Sequence, residues 1–424
     1  MNRLARGVSG MLFFFAAAAP VGAQPPNLHA IPVGPASGYT DVSPKQIVRT
    51  SGDVVYIVAV GCDAYPCMES SQTIRVWKGD GSGAALAFSR LDQAHEPVDA
   101  GSVAAAIDAT DTIHIVWQDR NGASNTRIRY ATFRTAFDTW GTAENLESNV
   151  STANDSGQGD SFVALALDMN GKPHVAYLYY DGARRRLAYR HRATGFWSLR
   201  TFIDNNTYGP TEQVWLPNIA FDSAGRRVFA WLTGALNGDS NGVIRVRVMD
   251  TDGTLGVRAD VSTATAKVGI DQSTSMLCDG RIHITWILGA AAGGEFVRYA
   301  YATEGKNPVF TANHPADADT HNPSLGAGPN GTIRIYGPGS ESPNDDSLYY
   351  WEGPGGAGSW SGRSLYSTGA FDGSVSTRWS QYFFAFPQTL DIAYWNQNYP
   401  NDVYYGVEGA SLPLAAPANL RIVN

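Results

Sequence analysis

Along most of the chain, apolar and polar residues alternate in short bursts rather than at helical spacing. One burst reads apolar–x–apolar–x–aromatic, breaks at a turn, and resumes as apolar–x–Tyr or another aromatic. The unit occurs as "VVYIVAVGC…TIRVWKG" from Val54, "TIHIVWQDRNGASNTRIRYATF" from Thr112 and "KPHVAYLYYDGARRRLAYRHR" from Lys172. It returns as "RVFAWLTGALNGDSNGVIRVRVMD" from Arg227, "RIHITWILGAAAGGEFVRYAYAT" from Arg281, "TIRIYGPGSESPNDDSLYYWEG" from Thr332 and "TLDIAYWNQNYPNDVYYGVEG" from Thr389. The starts lie about 50–60 residues apart. A period of two, β-branched and aromatic enrichment, and Gly, Asp and Asn punctuation all mark strands.

Most units follow an apolar or small-residue stretch and a turn, as in "SVAAAIDATD", "SFVALALDMNG" and "PNIAFDSAG", and several precede a further candidate strand such as "FWSLRTFI". No long amphipathic helix separates them. Four short antiparallel strands, repeated seven times, predict an all-β fold: a seven-bladed β-propeller spanning residues 24–410. The last unit lacks a fourth strand after Glu408, and "LHAIPV" from Leu28 is expected to supply it. Pairing the N- and C-terminal strands would close the ring and leave no long open sheet edge. Residues 411–424 then form a C-terminal tail or linker stub.

Composition removes several classes of function. The 424 residues are 43% hydrophobic and 17% charged, with a formal net charge of −8. No basic tract offers a nucleic-acid surface. Beyond the N-terminus no apolar run approaches the roughly 20 residues that span a bilayer, so no membrane partner is expected. At the N-terminus, Arg3 and Arg6 precede an apolar stretch from Met11 that closes on Val21-Gly22-Ala23. This reads as a signal peptide over residues 1–23, cleaved before Gln24, and predicts a secreted or periplasmic monomer. An oxidising compartment permits a disulfide between Cys62 and Cys67, which bracket "DAYP", while Cys278 reads as a buried small hydrophobe. Zinc would need two further ligands near the cysteines, and none is there. No cofactor or metal site is expected. Structural calcium in the acidic loops stays open, although no DxDxDG-like spacing supports it.

The repeat "G/D–x–x–H–V/I–x–W/Y … L/I–x–Y", over residues about 38–410, resembles the sialidase-like, BNR-type β-propellers of secreted bacterial proteins. That superfamily includes glycoside hydrolases, seven-bladed polysaccharide lyases and sugar-binding lectins, so the resemblance implies a propeller acting on or binding glycans. Neither an Asp-box turn nor an Arg-Ile-Pro motif occurs, and the resemblance does not extend to sialidase chemistry.

Repetition also sorts the candidate residues. His114, His174 and His283 hold one place in three units, as do Tyr130, Tyr189 and Tyr299, which predicts packing or turn-bonding roles. Function is expected where the units differ, on the face carrying the loops between second and third strands and the loops between blades. There blade two offers Asp119, after a loop with His95. Blade three offers Tyr179, Tyr180, Asp181 and Arg184, and the loop into blade four brings Glu212 and Trp215. His321 precedes blade six, and blade seven adds Arg378, Trp379, Asn396 and Tyr399.

Aromatic faces cover the C–H face of a pyranose while fixed polar groups bond its hydroxyls, so the set suits an extracellular polysaccharide or other glycan. Three functions fit: a carbohydrate-binding propeller, a glycan-cleaving enzyme, and a protein-binding scaffold. Resemblance to the lyases implies β-elimination, with His95 and Tyr180 as base and acid and Arg184 neutralising a uronate. Carboxylates such as Asp119 and Glu212 would instead serve hydrolysis. The mouth is expected to be acidic, which would repel an anionic polymer.

Overall fold

The computed structural model describes residues 29–31, 47–61, 73–80, 87–95, 103–120, 126–148, 150, 163–182, 184–193, 195–204, 212–235, 242–262, 275–289, 295–315, 323–327, 332–338, 348–367, 375–377, 390–395 and 403–408. The expected signal peptide, the C-terminal tail and the Cys62–Cys67 pair lie outside them. The architecture is that of an all-β propeller. Six blades, rather than the seven expected, are built wholly from strands consecutive in the chain. Blade one comprises Ile47–Arg49, Val55–Gly61, Thr73–Asp80 and Ala87–His95. Blade two comprises Val103–Ile107, Thr112–Arg120, Thr126–Arg134 and Glu144–Glu147, with Thr139–Trp140 also pairing its third strand. Blade three uses Val163–Leu167, Pro173–Tyr180, Arg185–His191 and Thr201–Phe202. Blade four uses Glu212–Phe221, Arg227–Ala235, Val243–Met249 and Ala259–Asp260.

Blade five is formed by Ser275–Cys278, Arg281–Gly289, Glu295–Thr303 and Thr311–Ala312. Blade six is formed by Ser324–Ala327, Ile333–Pro338, Leu348–Gly353 and Ser364–Ser367. The last repeat supplies only three strands: Val375–Thr377, Leu390–Trp395 and Val403–Glu408. Its outer strand pairs with His29–Ile31 from the other end of the chain, His29 lying opposite Tyr405.

Period-two patterning sends alternate side chains toward opposite neighbouring blades. Trp117 and Ile115 of blade two pack with Val58 and Val76 of blade one, whereas Val116 and Ile128 pack with Val175 and Tyr177 of blade three. Trp231, Ile219 and Met276 continue the core through blades four and five. The core therefore lies between the sheets. Burying a side chain such as Ile115 or Val175 stabilises by about 1.5–3 kcal/mol. Cys278 belongs to this core and is buried, as expected of a small hydrophobe.

The turns from first to second strand share one design. The Asp108 carboxylate accepts from the Thr110 and Thr112 amides, Asp168 from Asn170 and Lys172, and Asp222 from Ala224 and Arg226. Each is an aspartate closing its own turn. Gly171 and Gly225 take the left-handed position at φ 72° and 74°, and Asp111 takes the same position at φ 58°.

The repeated histidines hang on these turns, opposite the second-to-third-strand loops. Nδ1 of His114, His174 and His283 lies 2.6 Å from the hydroxyl of Tyr130, Tyr189 and Tyr299 respectively. Nε2 faces Asp108 at 3.2 Å, Asp168 at 3.8 Å and Asp279 at 2.7 Å. A proton on Nε2 suits the carboxylate, and Nδ1 then accepts the tyrosine O–H. Phe229 replaces the histidine in blade four and packs edge-on against Tyr189. One position serves three blades as a polar clamp and a fourth as an apolar one, so its role is scaffold.

The clamp has a pH signature. Burial lowers the His174 pKa from 6.5, outweighing the attraction of Asp168, so protonation opposes folding below that value. Burial works against the Asp168 charge. Hydrogen bonds from His174 and the Lys172 and Asn170 amides outweigh it, drawing the carboxyl from 3.8 to about 2. That contribution is present above 3.8 and is lost as pH falls toward 2. Both slopes run the same way. Urea midpoints of the wild type should fall steadily between pH 6.5 and 4, and His174→Phe should flatten that fall; an unchanged slope would contradict the assignment.

Candidate functional site

In each blade the second strand ends, and the third begins, on the face opposite the aspartate turns. Fourth strands end there too, and the next blade starts there. Arginines crowd this end. In blade two, Asp119 pairs in register with Arg127, two positions beyond the Trp117–Arg129 pair. All four share the side that faces blade one. Asp119 is 2% exposed, and its Oδ2 accepts from Arg127 at 2.5 Å and Arg129 at 3.4 Å. The Arg129 guanidinium sits 6.0 Å from the Trp117 ring centre. A carboxylate so enclosed orients two guanidinium groups.

Blade three is denser. Tyr179 opposes Arg186 and Tyr180 opposes Arg185, so each tyrosine shares a sheet face with one arginine. Arg186 looks toward blade two. Its Nε donates to Asp204 at 2.5 Å, its Nη2 to the Asp204 carbonyl at 3.2 Å and its Nη1 to Asp181 at 3.3 Å. Asp204 is 2% exposed, and its Oδ1 has no partner among the described residues. Burial raises the Asp204 carboxyl above its ordinary range, and Arg186 offsets this only in part. Tyr179 carries Arg200 over its ring at 3.6 Å.

Arg185 looks toward blade four. Its guanidinium covers the Trp215 ring at 3.8 Å, and its backbone amide donates to Gln213 Oε1 at 2.6 Å. Tyr180, half-buried beside it, donates its amide to the Val150 carbonyl at 2.9 Å. The seam between blades three and four therefore brings together a half-buried phenol, a guanidinium on an indole, and a carboxamide, with Arg185 6% exposed.

Trp215 differs from expectation. It lies inside the ten-residue first strand of blade four rather than on a loop, and it is 2% exposed. Its indole is core, reached from the mouth through Arg185. Arg184 sits in the turn, its amide bound to Asp181 Oδ1 at 3.1 Å. Its neighbour Arg185 is the residue in register with Tyr180. His95 ends the fourth strand of blade one, opposite Ile74, and Glu212 begins blade four, opposite Ala235. His321, Arg378, Trp379, Asn396 and Tyr399 lie outside the described residues.

Sequence reasoning passed over Arg185, Arg186, Asp204 and His314. His314 follows the fourth strand of blade five, accepts the Tyr299 amide on Nδ1 at 3.1 Å and meets the Trp286 ring edge-on at 6.1 Å. Burial and then Arg298 lower its pKa, leaving a neutral imidazole with Nε2–H as donor. Of the carboxylates expected to serve hydrolysis at an acidic mouth, Asp119 alone has a described side chain; Asp119, Asp181 and Asp204 are each ion-paired to arginine. No group of three or more metal-ligating side chains occurs among the described residues. No helix among them is long and apolar enough to cross a membrane.

No protein-family model matches the chain, and no curated sequence does. Solved structures do. An ulvan lyase of a new polysaccharide lyase family, bound to -[GlcA(1-4)Rha3S]-, is similar at TM-score 0.56 and 12% identity, over 90% of this chain and 96% of that one. The polysaccharide lyase Uly1 is similar at TM-score 0.52 and 10% identity, over 95% and 94%. An α-L-arabinanase of Penicillium chrysogenum complexed with arabinobiose reaches 0.49 at 11% identity, over 91% and 98%. At such identities the likeness is one of fold, that of a β-propeller.

Proposed function

We propose that the chain is an exported propeller that engages an extracellular glycan bearing carboxylate or sulfate groups. Its site is the arginine-lined end of blades two to four. The observation that carries this reading is the seam at which Arg185, stacked on Trp215, stands in register with Tyr180. A guanidinium held on an aromatic face offers a planar donor fork to an oxyanion. The sheet formed by the last repeat and His29–Ile31 is inferred to complete the ring. Leu390–Trp395 lies against Ile47–Arg49, and Val375–Thr377 lies against Ser324–Ala327, as neighbouring blades would. A glycan bound to such a ring is expected to meet a monomer.

The second reading is a glycan-cleaving enzyme, and the same pair favours it. β-Elimination beside a uronate carboxylate needs a cation on that carboxylate and a proton-transfer group near the adjacent carbon. Arg185 and Tyr180 offer both types on one sheet face, and His95 ends a strand on the same side of the molecule. The acidic ligand of the ulvan lyase named above lends weight to this class. Incubation with a panel of neutral, uronate and sulfated polysaccharides separates the readings. Binding alone should retard the protein on an acidic polymer without product. A lyase should release unsaturated, ultraviolet-absorbing ends, and a hydrolase new reducing ends only. Retardation by neutral polymers in preference to acidic ones would remove the proposal.

A further inference from the structure

Blades two, four and five each set a tryptophan of the second strand in register with an arginine of the third: Trp117 with Arg129, Trp231 with Arg245, and Trp286 with Arg298. In the first two a carboxylate completes the set. Asp119 stands 3.4 Å from Arg129, and Asp260, opposite Arg245 on the fourth strand, stands 3.3 Å from it. Blade five departs from this. Ala300 pairs with Ala312, and Asn313 donates its amide to the Tyr299 carbonyl. The next residue, His314, therefore takes beside Arg298 the place that Asp260 takes beside Arg245.

Both side chains are donors there. The Tyr299 amide donates to His314 Nδ1 at 3.1 Å, which leaves the ring proton on Nε2. The ring meets Trp286 edge-on at 6.1 Å, on the sheet face that Trp286 shares with Arg298. Val297 and Tyr299 pack toward blade six, so Trp286 and Arg298 turn toward blade four. Arg298 spends Nη1 on the Val297 carbonyl at 3.2 Å and keeps Nε and Nη2. No carboxylate among the described residues pairs with it. Burial alone acts on its charge, lowering its pKa from the ordinary arginine value. His314 is exposed, so the pair opens to solvent.

We propose that Arg298 and His314 form a binding site for an external oxyanion, a sulfate or carboxylate group, which takes the part that the Asp260 carboxylate plays in blade four. A guanidinium and an imidazole N–H both bond such a group as donors, and a neutral ligand gives Arg298 no counter-charge. The site belongs to blade five and does not rest on the function proposed for blades two to four.

NMR of the histidine imidazoles at neutral pH and constant ionic strength tests it, with inorganic sulfate, glucuronate and glucose as separate titrants. The His314 signal, identified by its loss in His314→Asp, should move and saturate with sulfate or glucuronate, whichever group the site takes, and stay still with glucose. His114, His174 and His283 should not move. Arg298→Gln should raise the midpoint roughly tenfold or more, the scale of one hydrogen bond to a charged group. Arg185→Ala at the mouth should leave the midpoint unchanged. His314→Asp gives blade five the carboxylate of blade four, and calorimetry should then find no anion binding in a chain at least as resistant to urea. A His314 signal that saturates with neither anion, saturates equally with glucose, or keeps its midpoint in Arg298→Gln overturns the proposal.

Discussion

Arg186→Ala is expected to destabilise the protein by about 3–5 kcal/mol, the range for breaking one side of a buried ion pair. The substitution removes the partner of Asp204 and leaves a carboxyl that is 2% exposed with neither oxygen bonded by a guanidinium. It also strips the cation that lies 4.2 Å over the Phe202 ring. The cause can be separated from simple loss of packing by pH. Burial already raises the Asp204 carboxyl above 3.8, and without Arg186 it must rise further. A raised acid favours the neutral folded form, so the penalty is full at neutral pH and shrinks as pH falls toward 3.8. Urea unfolding at pH 7 and pH 4.5 measures both. A second change, Asp204→Asn in the same chain, should recover much of the loss at neutral pH. A penalty independent of pH would mean that packing, and not the buried charge, holds this corner.

Arg185→Ala should have the largest effect on glycan engagement, weakening retention on an acidic polysaccharide by roughly 10- to 100-fold, the scale of one hydrogen bond to a charged group. The stability cost should be smaller, about 2 kcal/mol for a desolvated cation–π contact with Trp215. Arg185→Lys keeps the charge but replaces a planar fork with a point charge, and should recover only part of the retention. The backbone amide that binds Gln213 survives both changes, so the strand end stays in place. Affinity electrophoresis in gels cast with the polymer gives the ratio directly. Equal loss on neutral polymers would show that the seam had collapsed rather than lost a contact.

How far the chain could be read depended on repetition. His114, His174 and His283 recur at one place, as do Tyr130, Tyr189 and Tyr299, so both sets were legible as scaffold because three blades agree; the bonds between them are seen in the structure. The pairs that shape the mouth occur once each. Arg186 and Asp204 are separated by a third and a fourth strand, and no local pattern joins them. Within Arg184-Arg185-Arg186 successive side chains point to opposite sheet faces, so only the strand register shows that Arg185 accompanies Tyr180. Trp215 is expected in the loop into blade four. In fact the first strand of blade four absorbs a register shift between Trp215 and Asn218, with Leu216 at φ 50°. A bulge of that kind leaves no signature in alternation.

The division of labour between repeated and singular residues is best tested by one comparison of retention on an acidic polysaccharide. His283→Phe places in blade five the residue blade four already uses as Phe229. Arg185→Ala alters a position with no counterpart in the other blades. Measured at low temperature on folded samples, His283→Phe should be retained like the wild type although it melts earlier, and Arg185→Ala should run free. Retention lost with His283→Phe and kept with Arg185→Ala would contradict the account.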